Sequence, residues 1–183
     1  MRALPFLTAF AAALCLAVAA PGAAAASAME IETRADAAIE RLAETAPEAR
    51  ELMRKATGVL VFPRVIKVGI GVGGEYGEGV LRVNGESVQF YSTASGSFGF
   101  QFGAVAKAQF ILFMTEQALA DFRAAKGWEV GVDGSVTLVK IGTGGSIDTT
   151  SGRDPVIGFV LADRGLMYDL SLAGTKITRI ERD

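Results

Sequence analysis

The sequence predicts an α+β fold in a single domain: two helices at the start, then a mostly antiparallel, glycine-rich sheet, with one helix in mid-chain. Three observations carry this reading. Apolar residues recur at three- and four-residue spacing from Ile31 to Leu42. From Val59 onward, short apolar runs are separated by turn pairs, Asn84-Gly85 foremost among them. Strands also outnumber helices and are joined by hairpin signals, which favours antiparallel pairing. A barrel-like closure of such a sheet stays open at this level.

Residues 1–28 are set apart from the domain, which is assigned to 29–183. Arg2 supplies a short positive start, and Ala3 to Ala20 form an apolar run broken only by Pro5 and Thr8. Ala26-Ser27-Ala28 then offers a small-x-small cleavage frame. The expectation is an exported protein, periplasmic or extracellular, with its signal peptide cleaved near Ala28. A membrane span fits less well, because the run is dominated by alanine and stops at Pro21-Gly22. Cys15 lies inside this segment, with Leu14 just before it and Ala12 three before, which is not the setting of a lipid-modified cysteine.

Beyond residue 28 the chain has no cysteine and no histidine. Cys–His and Ser–His nucleophilic pairs are therefore excluded, as are zinc or redox-metal sites built on those ligands. No enzymatic activity, no metal and no cofactor are expected. Without Arg2 the balance is 17 basic against 20 acidic residues, net −3, so nucleic acid is not an expected partner.

The elements follow in order. Ile31, Ala35, Ala38, Ile39 and Leu42 form the apolar stripe of a first helix, and Glu30, Arg34, Asp36 and Arg41 are among its polar residues. Thr45-Ala-Pro-Glu48 has the form of a capping box, which predicts a short second helix to about Ala56 with Gly58 closing it. Val59 to Phe62 is a short strand stopped by Pro63, and Val65 to Val72 is a second one. Asn84-Gly85 predicts a two-residue hairpin with Leu81 opposite Val88 and Arg82 opposite Ser87. Phe98, Phe100 and Phe102 alternate along a strand, and Phe110 to Met114 is continuously apolar, hence buried on both faces. Thr115 caps a helix buried through Leu119 and Phe122 and ended by Lys126-Gly127. Trp128–Val132 and Val136–Leu138 predict a second hairpin about Asp133-Gly134. A third joins Val156–Leu161 to Leu166–Leu172, and Lys176 to Ile180 forms the last strand.

Five ordered blocks also carry a resemblance. They are Lys55-Ala-Thr-Gly-Val-Leu-Val-Phe-Pro63, Gly73-Gly-Glu-Tyr-Gly-Glu-Gly-Val-Leu81, Gly96-Ser-Phe-Gly-Phe-Gln-Phe-Gly103, Gly127-Trp-Glu-Val-Gly-Val-Asp-Gly134 and Gly165-Leu-Met-Tyr-Asp-Leu-Ser-Leu-Ala-Gly-Thr-Lys176. From about Ala35 onward the chain resembles bacterial SYLF-domain proteins. The resemblance implies a secreted, stand-alone, lipid-binding domain. Actin binding, which some eukaryotic members show, is not expected in an envelope compartment.

Two sets of residues are candidates for lipid contact. Arg54, Lys55, Arg64 and Lys67 gather in a stretch with no acidic residue between Glu51 and Glu75. Near an anionic bilayer each such charge contributes on the order of 1 kcal/mol. The alternative is a solvated face paired with Glu48, Glu51 or Glu75. Phe98, Phe100 and Phe102 are candidates for acyl-chain contact or are plain core. Gly69-Ile-Gly-Val-Gly-Gly74 satisfies a dinucleotide-binding pattern, but a strand follows where such a site needs a helix. The expected function is non-enzymatic binding of anionic phospholipid at a membrane surface, with an envelope scaffold or protein-interaction module as the alternative.

Overall fold

In a computed structural model, residues 26–99, 105–139, 154–162, 165–167 and 171–183 are described, with backbone alone at 68–72 and 97–99. Helix α1 (Ala28–Thr45) turns at Ala46 into α2 (Pro47–Lys55). Strands β1 (Gly58–Val83), β2 (Glu86–Gly99) and β3 (Val105–Phe113) follow, then α3 (Glu116–Ala124). Short strands β4 (Gly127–Glu129) and β5 (Thr137–Leu138) precede β6 (Val156–Ala162), β7 (Gly165–Leu166) and β8 (Lys176–Ile180). The fold is α+β, with one sheet curled into half a barrel in the order β4-β8-β2-β1-β3-β6-β5, and β7 paired to β6. Every pairing between these strands is antiparallel except that of β5 with β6.

The sheet is covered on both faces, and alternate residues of its central strands serve different cores. Val61, Phe110, Leu112, Ile157 and Phe159 pack under α1 and α2, against Ile31, Ala35 and Leu42. Their neighbours Leu60, Phe62, Ile111, Phe113 and Val160 face the other way, onto α3 and Trp128. This two-sided burial is why β6 and the second half of β3, Phe110–Phe113, read as unbroken apolar runs. On the α3 side Phe122 contacts Tyr91, Phe113 and, edge-on at 5.5 Å, Trp128.

Strand β1 is one long strand where three are predicted, Val59–Phe62, Val65–Val72 and Gly79–Val83, the arm leading into the Asn84-Gly85 turn. Its first part pairs with β3 and its second with β2, and the ladder to β3 is interrupted between Phe62 and Val65. Pro63 sits in that interruption, where its missing N–H costs no ladder bond. Residues 77–79 pass directly against residues 61–65 of the same strand. A side chain at Gly79 would strike the Val61 carbonyl and the Phe62 ring, and one at Gly77 would lie 2.7 Å from the Arg64 carbonyl. Glycine at these two positions is what lets backbone meet backbone there.

Several local expectations are corrected. Thr45 is still in the last turn of α1, so its hydroxyl donates back to the Arg41 carbonyl and the capping box does not form. Ala46 ends one helix and begins the next, leaving α2 without a side-chain cap. Gly58 is not a left-handed helix end; it opens β1, where a Cβ would meet Leu119 at 2.8 Å. Gly127 likewise opens β4 and does not cap α3, which closes on Ala125. Asn84 and Gly85 do make the left-handed turn, with φ of 53° and 83°. Arg82 faces Ser87 as expected, but Leu81 pairs with Gln89, because a bulge leaves Val88 out of register and exposed. The hairpin about Asp133-Gly134 is absent: β4 pairs with β8 and β5 with β6, at opposite edges of the sheet. Asp133 instead folds back to accept from the Glu129 N–H at 2.7 Å.

Candidate functional site: a basic cavity under the first helix

Helix α1 is fixed across the sheet at two points. Arg82 of β1 donates to Asp36 at 2.5 Å, and Arg41 donates to the Ala162 carbonyl of β6 at 3.0 Å. Between them the helix presents alanines, and small side chains over a curled sheet leave a gap. The result is a cavity of about 270 Å³ lined by Arg34, Ala37, Ala38, Arg41, Pro63, Arg64, Ala106, Lys107, Ala108 and Leu161. Its lining holds four cationic side chains and no carboxylate. Its floor is apolar. That volume lies near the lower end of small-ligand sites.

The four cations are held differently. Arg34 pairs with Glu30 one turn earlier at 2.5 Å, an exposed contact that a stronger anion could compete for. Lys107 is nearly enclosed and its ammonium meets the Glu75 carboxylate at 2.7 Å. Arg64 is exposed and makes no ion pair or hydrogen bond among the described residues. The interruption of the β1–β3 ladder at Pro63-Arg64 positions this side chain.

The predicted basic group is divided. Arg64 alone lines the cavity. Lys67 stands behind it, 3.6 Å from the same Glu75 that holds Lys107. Arg54 and Lys55 end α2, outside the lining, and both pair with Glu51, at 2.6 and 3.3 Å. Hydrogen bonds from Arg54 and then Lys55 hold the Glu51 carboxyl below its ordinary range. Three of the four candidates are thus partnered by Glu51 or Glu75.

The aromatic candidates contribute less. Phe98 pairs with Val72 through its backbone, and its side chain lies outside what is described; Phe100 and Phe102 lie outside the described residues altogether. The expected leader, residues 1–28, falls almost wholly outside them too. Among the described residues no helix is long and apolar enough to cross a membrane, and no three acidic, His or Cys side chains converge on a metal position.

Arg34, Arg41 and Lys107 were missed in the sequence. The signal for the first two is their spacing: seven residues, two helical turns, places them on one face. Lys107 gives less warning, being a single charge in the run that becomes β3.

Residues 94–182 match the family model described as Ysc84, Las17-binding protein actin regulator. Comparison with curated proteins gives no match. The matched region begins within β2 and takes in every later element, so it supplies Ala106, Lys107, Ala108 and Leu161 to the cavity, whereas α1 and β1 supply the rest. The Ysc84 or SYLF domain is associated with lipid and actin binding. Residues 94–182 are thus similar to the SYLF (Ysc84) domain, a match consistent with the resemblance that the sequence blocks carry.

Proposed function

We propose that this protein binds anionic phospholipid without catalysing a reaction, and that it does so in the bacterial envelope after export. The observation that carries the reading is the lining of the cavity: Arg34, Arg41, Arg64 and Lys107 above apolar walls, with no carboxylate among them. Guanidinium groups bind phosphate oxygens through paired, charge-assisted hydrogen bonds. Arg64 is available for such a contact at once, and Arg34 becomes available by releasing Glu30. Ala37, Pro63 and Leu161 would cover the apolar part of the lipid next to its headgroup. Arg54, Lys55 and Lys67 add long-range attraction, which salt screens within about 8–10 Å.

The scaffold alternative relies on sheet edges for protein contact. The terminal strands of the sheet are only three and two residues long, which offers little backbone for strand addition.

Liposome flotation tests the reading. Vesicles containing anionic phospholipid should carry the protein upward and neutral phosphatidylcholine vesicles should not. Arg64→Glu should weaken binding by about 2 kcal/mol, roughly thirtyfold. Arg54→Glu with Lys55→Glu should weaken it less and chiefly at low salt. Equal binding to both vesicle types, or an unaltered Arg64→Glu variant, would remove this mechanism.

A further inference from the structure

The cavity is too small for a whole phospholipid. Its volume of about 270 Å³ falls just short of the roughly 300–1,000 Å³ of drug-sized ligand sites, and a diacyl phospholipid is far larger than such ligands. A phosphate and the glycerol carbons beside it fit this space; a pair of acyl chains does not. A phospholipid held by Arg34, Arg41 and Arg64 therefore leaves its chains in the bilayer. Some part of the protein beside the mouth then has to rest on that bilayer.

The end of the β1–β3 ladder has the chemistry for such a contact. Arg64 and Ala106, which line the cavity, are both exposed. Ala106 stands opposite the half-buried Ile66, and in the next row Val105, the first residue of β3, stands opposite Lys67. Val105 is 44% exposed. Met29, Tyr76, Val88 and Val132 are the other large apolar side chains exposed among the described residues, and none of them adjoins a lining residue in sequence or across a ladder. Lys67 and Lys107 share the single carboxylate of Glu75, so with Arg64 this end keeps a net positive charge. An apolar tip flanked by cations complements an anionic bilayer, whose phosphates lie just above its acyl region.

We propose that the protein reads a phospholipid headgroup at the membrane surface without extracting the lipid, and that Val105 is the apolar anchor of the docked face. This rests on the reading of the cavity as an anionic-phospholipid site. Val105 enters the boundary between headgroups and acyl chains, while Arg64 and Lys67 stay level with the phosphates. The mouth of the cavity is thereby held against a headgroup.

Flotation of the full chain with phosphatidylglycerol vesicles tests the anchor. Val105→Asn should weaken binding about fivefold. Val132→Asn, at a side chain 74% exposed in the turn after β4, should leave it unchanged. Phosphorus NMR of sn-glycerol 3-phosphate reads the cavity without a membrane. Its line should broaden with the parent and with Val105→Asn alike, and stay sharp with Arg64→Glu. The protein should not speed the passage of labelled phosphatidylglycerol from donor to acceptor vesicles. Undiminished flotation of Val105→Asn, an equal loss in Val132→Asn, or accelerated transfer overturns the proposal and leaves the anionic-phospholipid site standing. Broadening that is lost in Val105→Asn, or absent from a parent that floats, overturns it too. A parent that neither floats with these vesicles nor broadens the line overturns the reading of the cavity as well.

Discussion

Lys107 of β3 and Glu75 of β1 meet at 2.7 Å with side chains only 6% and 11% exposed, and Lys67 approaches the second oxygen of the same carboxylate at 3.6 Å. One carboxylate therefore serves two ammonium groups beneath the wall of the cavity. Removing one partner of such a pair strands the other in a poorly solvated place. Glu75→Gln should cost about 3 kcal/mol in urea unfolding, whereas Glu75→Leu combined with Lys107→Met should recover most of that loss. A double variant as unstable as the single one would show that packing, not charge, holds this corner.

The crossing of β1 over itself makes an equally direct prediction. Gly79→Ala places a methyl group on the Val61 carbonyl and the Phe62 ring. The backbone at 61–65 is pinned by β3 and cannot retreat, so the substitution should cost at least about 2 kcal/mol. Gly96→Ala, with nothing within 4 Å of its new methyl, should change stability by less than about 0.5 kcal/mol. Thermal unfolding of the two variants side by side separates close approach from ordinary strand glycine.

Glu78 gives the stability a pH dependence. Burial opposes its charge, but hydrogen bonds from Arg182, Tyr76 and the Ala26 N–H prevail and hold its carboxyl below the ordinary 4.5. A carboxyl depressed in the folded state stabilises that state above the unfolded value, and the contribution disappears as pH falls through the folded value. The stability difference between the parent and Glu78→Gln should thus be full above about pH 4.5 and shrink below it. A difference that is flat with pH would detach Glu78 from acid unfolding.

Tyr91 is 3% exposed, and its hydroxyl has no hydrogen-bond partner among the described residues. Its ring already has what it needs from Phe122 at 4.9 Å. Tyr91→Phe removes a buried, unsatisfied polar group without changing shape, so it should stabilise the protein by about 1 kcal/mol in denaturant titration. A loss of similar size would mean that the hydroxyl is satisfied in solution.

The fold was legible where local chemistry acts alone. Thr115 caps α3 through the Ala118 N–H, Asn84-Gly85 makes its turn, and Phe110–Phe113 is buried on both faces. Legibility failed where a distant segment decides. Pro63 reads as a strand end, yet β3 continues beside it, so the strand passes through with a bulge. Gly58 reads as a helix cap, yet Leu119, far along the chain, is what requires it. The candidate site divides in the same way. Arg64 was visible as a charge without a near acidic neighbour, whereas Lys107 enters the cavity only because β3 lies under α1. The apolar lining was sought in phenylalanines and is formed here by alanines, a proline and a leucine. Absence of bulk, not its presence, makes this space.

Trp128, the only tryptophan, is 4% exposed and stands edge-on to Phe122 with Gly134 beneath its ring. It belongs to the core on the α3 side of the sheet, and the basic cavity opens on the other. Its emission is therefore a reporter of global unfolding and of the α3 face. A lipid headgroup arriving among Arg34, Arg41 and Arg64 would leave that emission unchanged. Steady fluorescence on adding vesicles is thus compatible with bound and unbound protein alike, and an optical assay of the cavity needs a dye placed on α1.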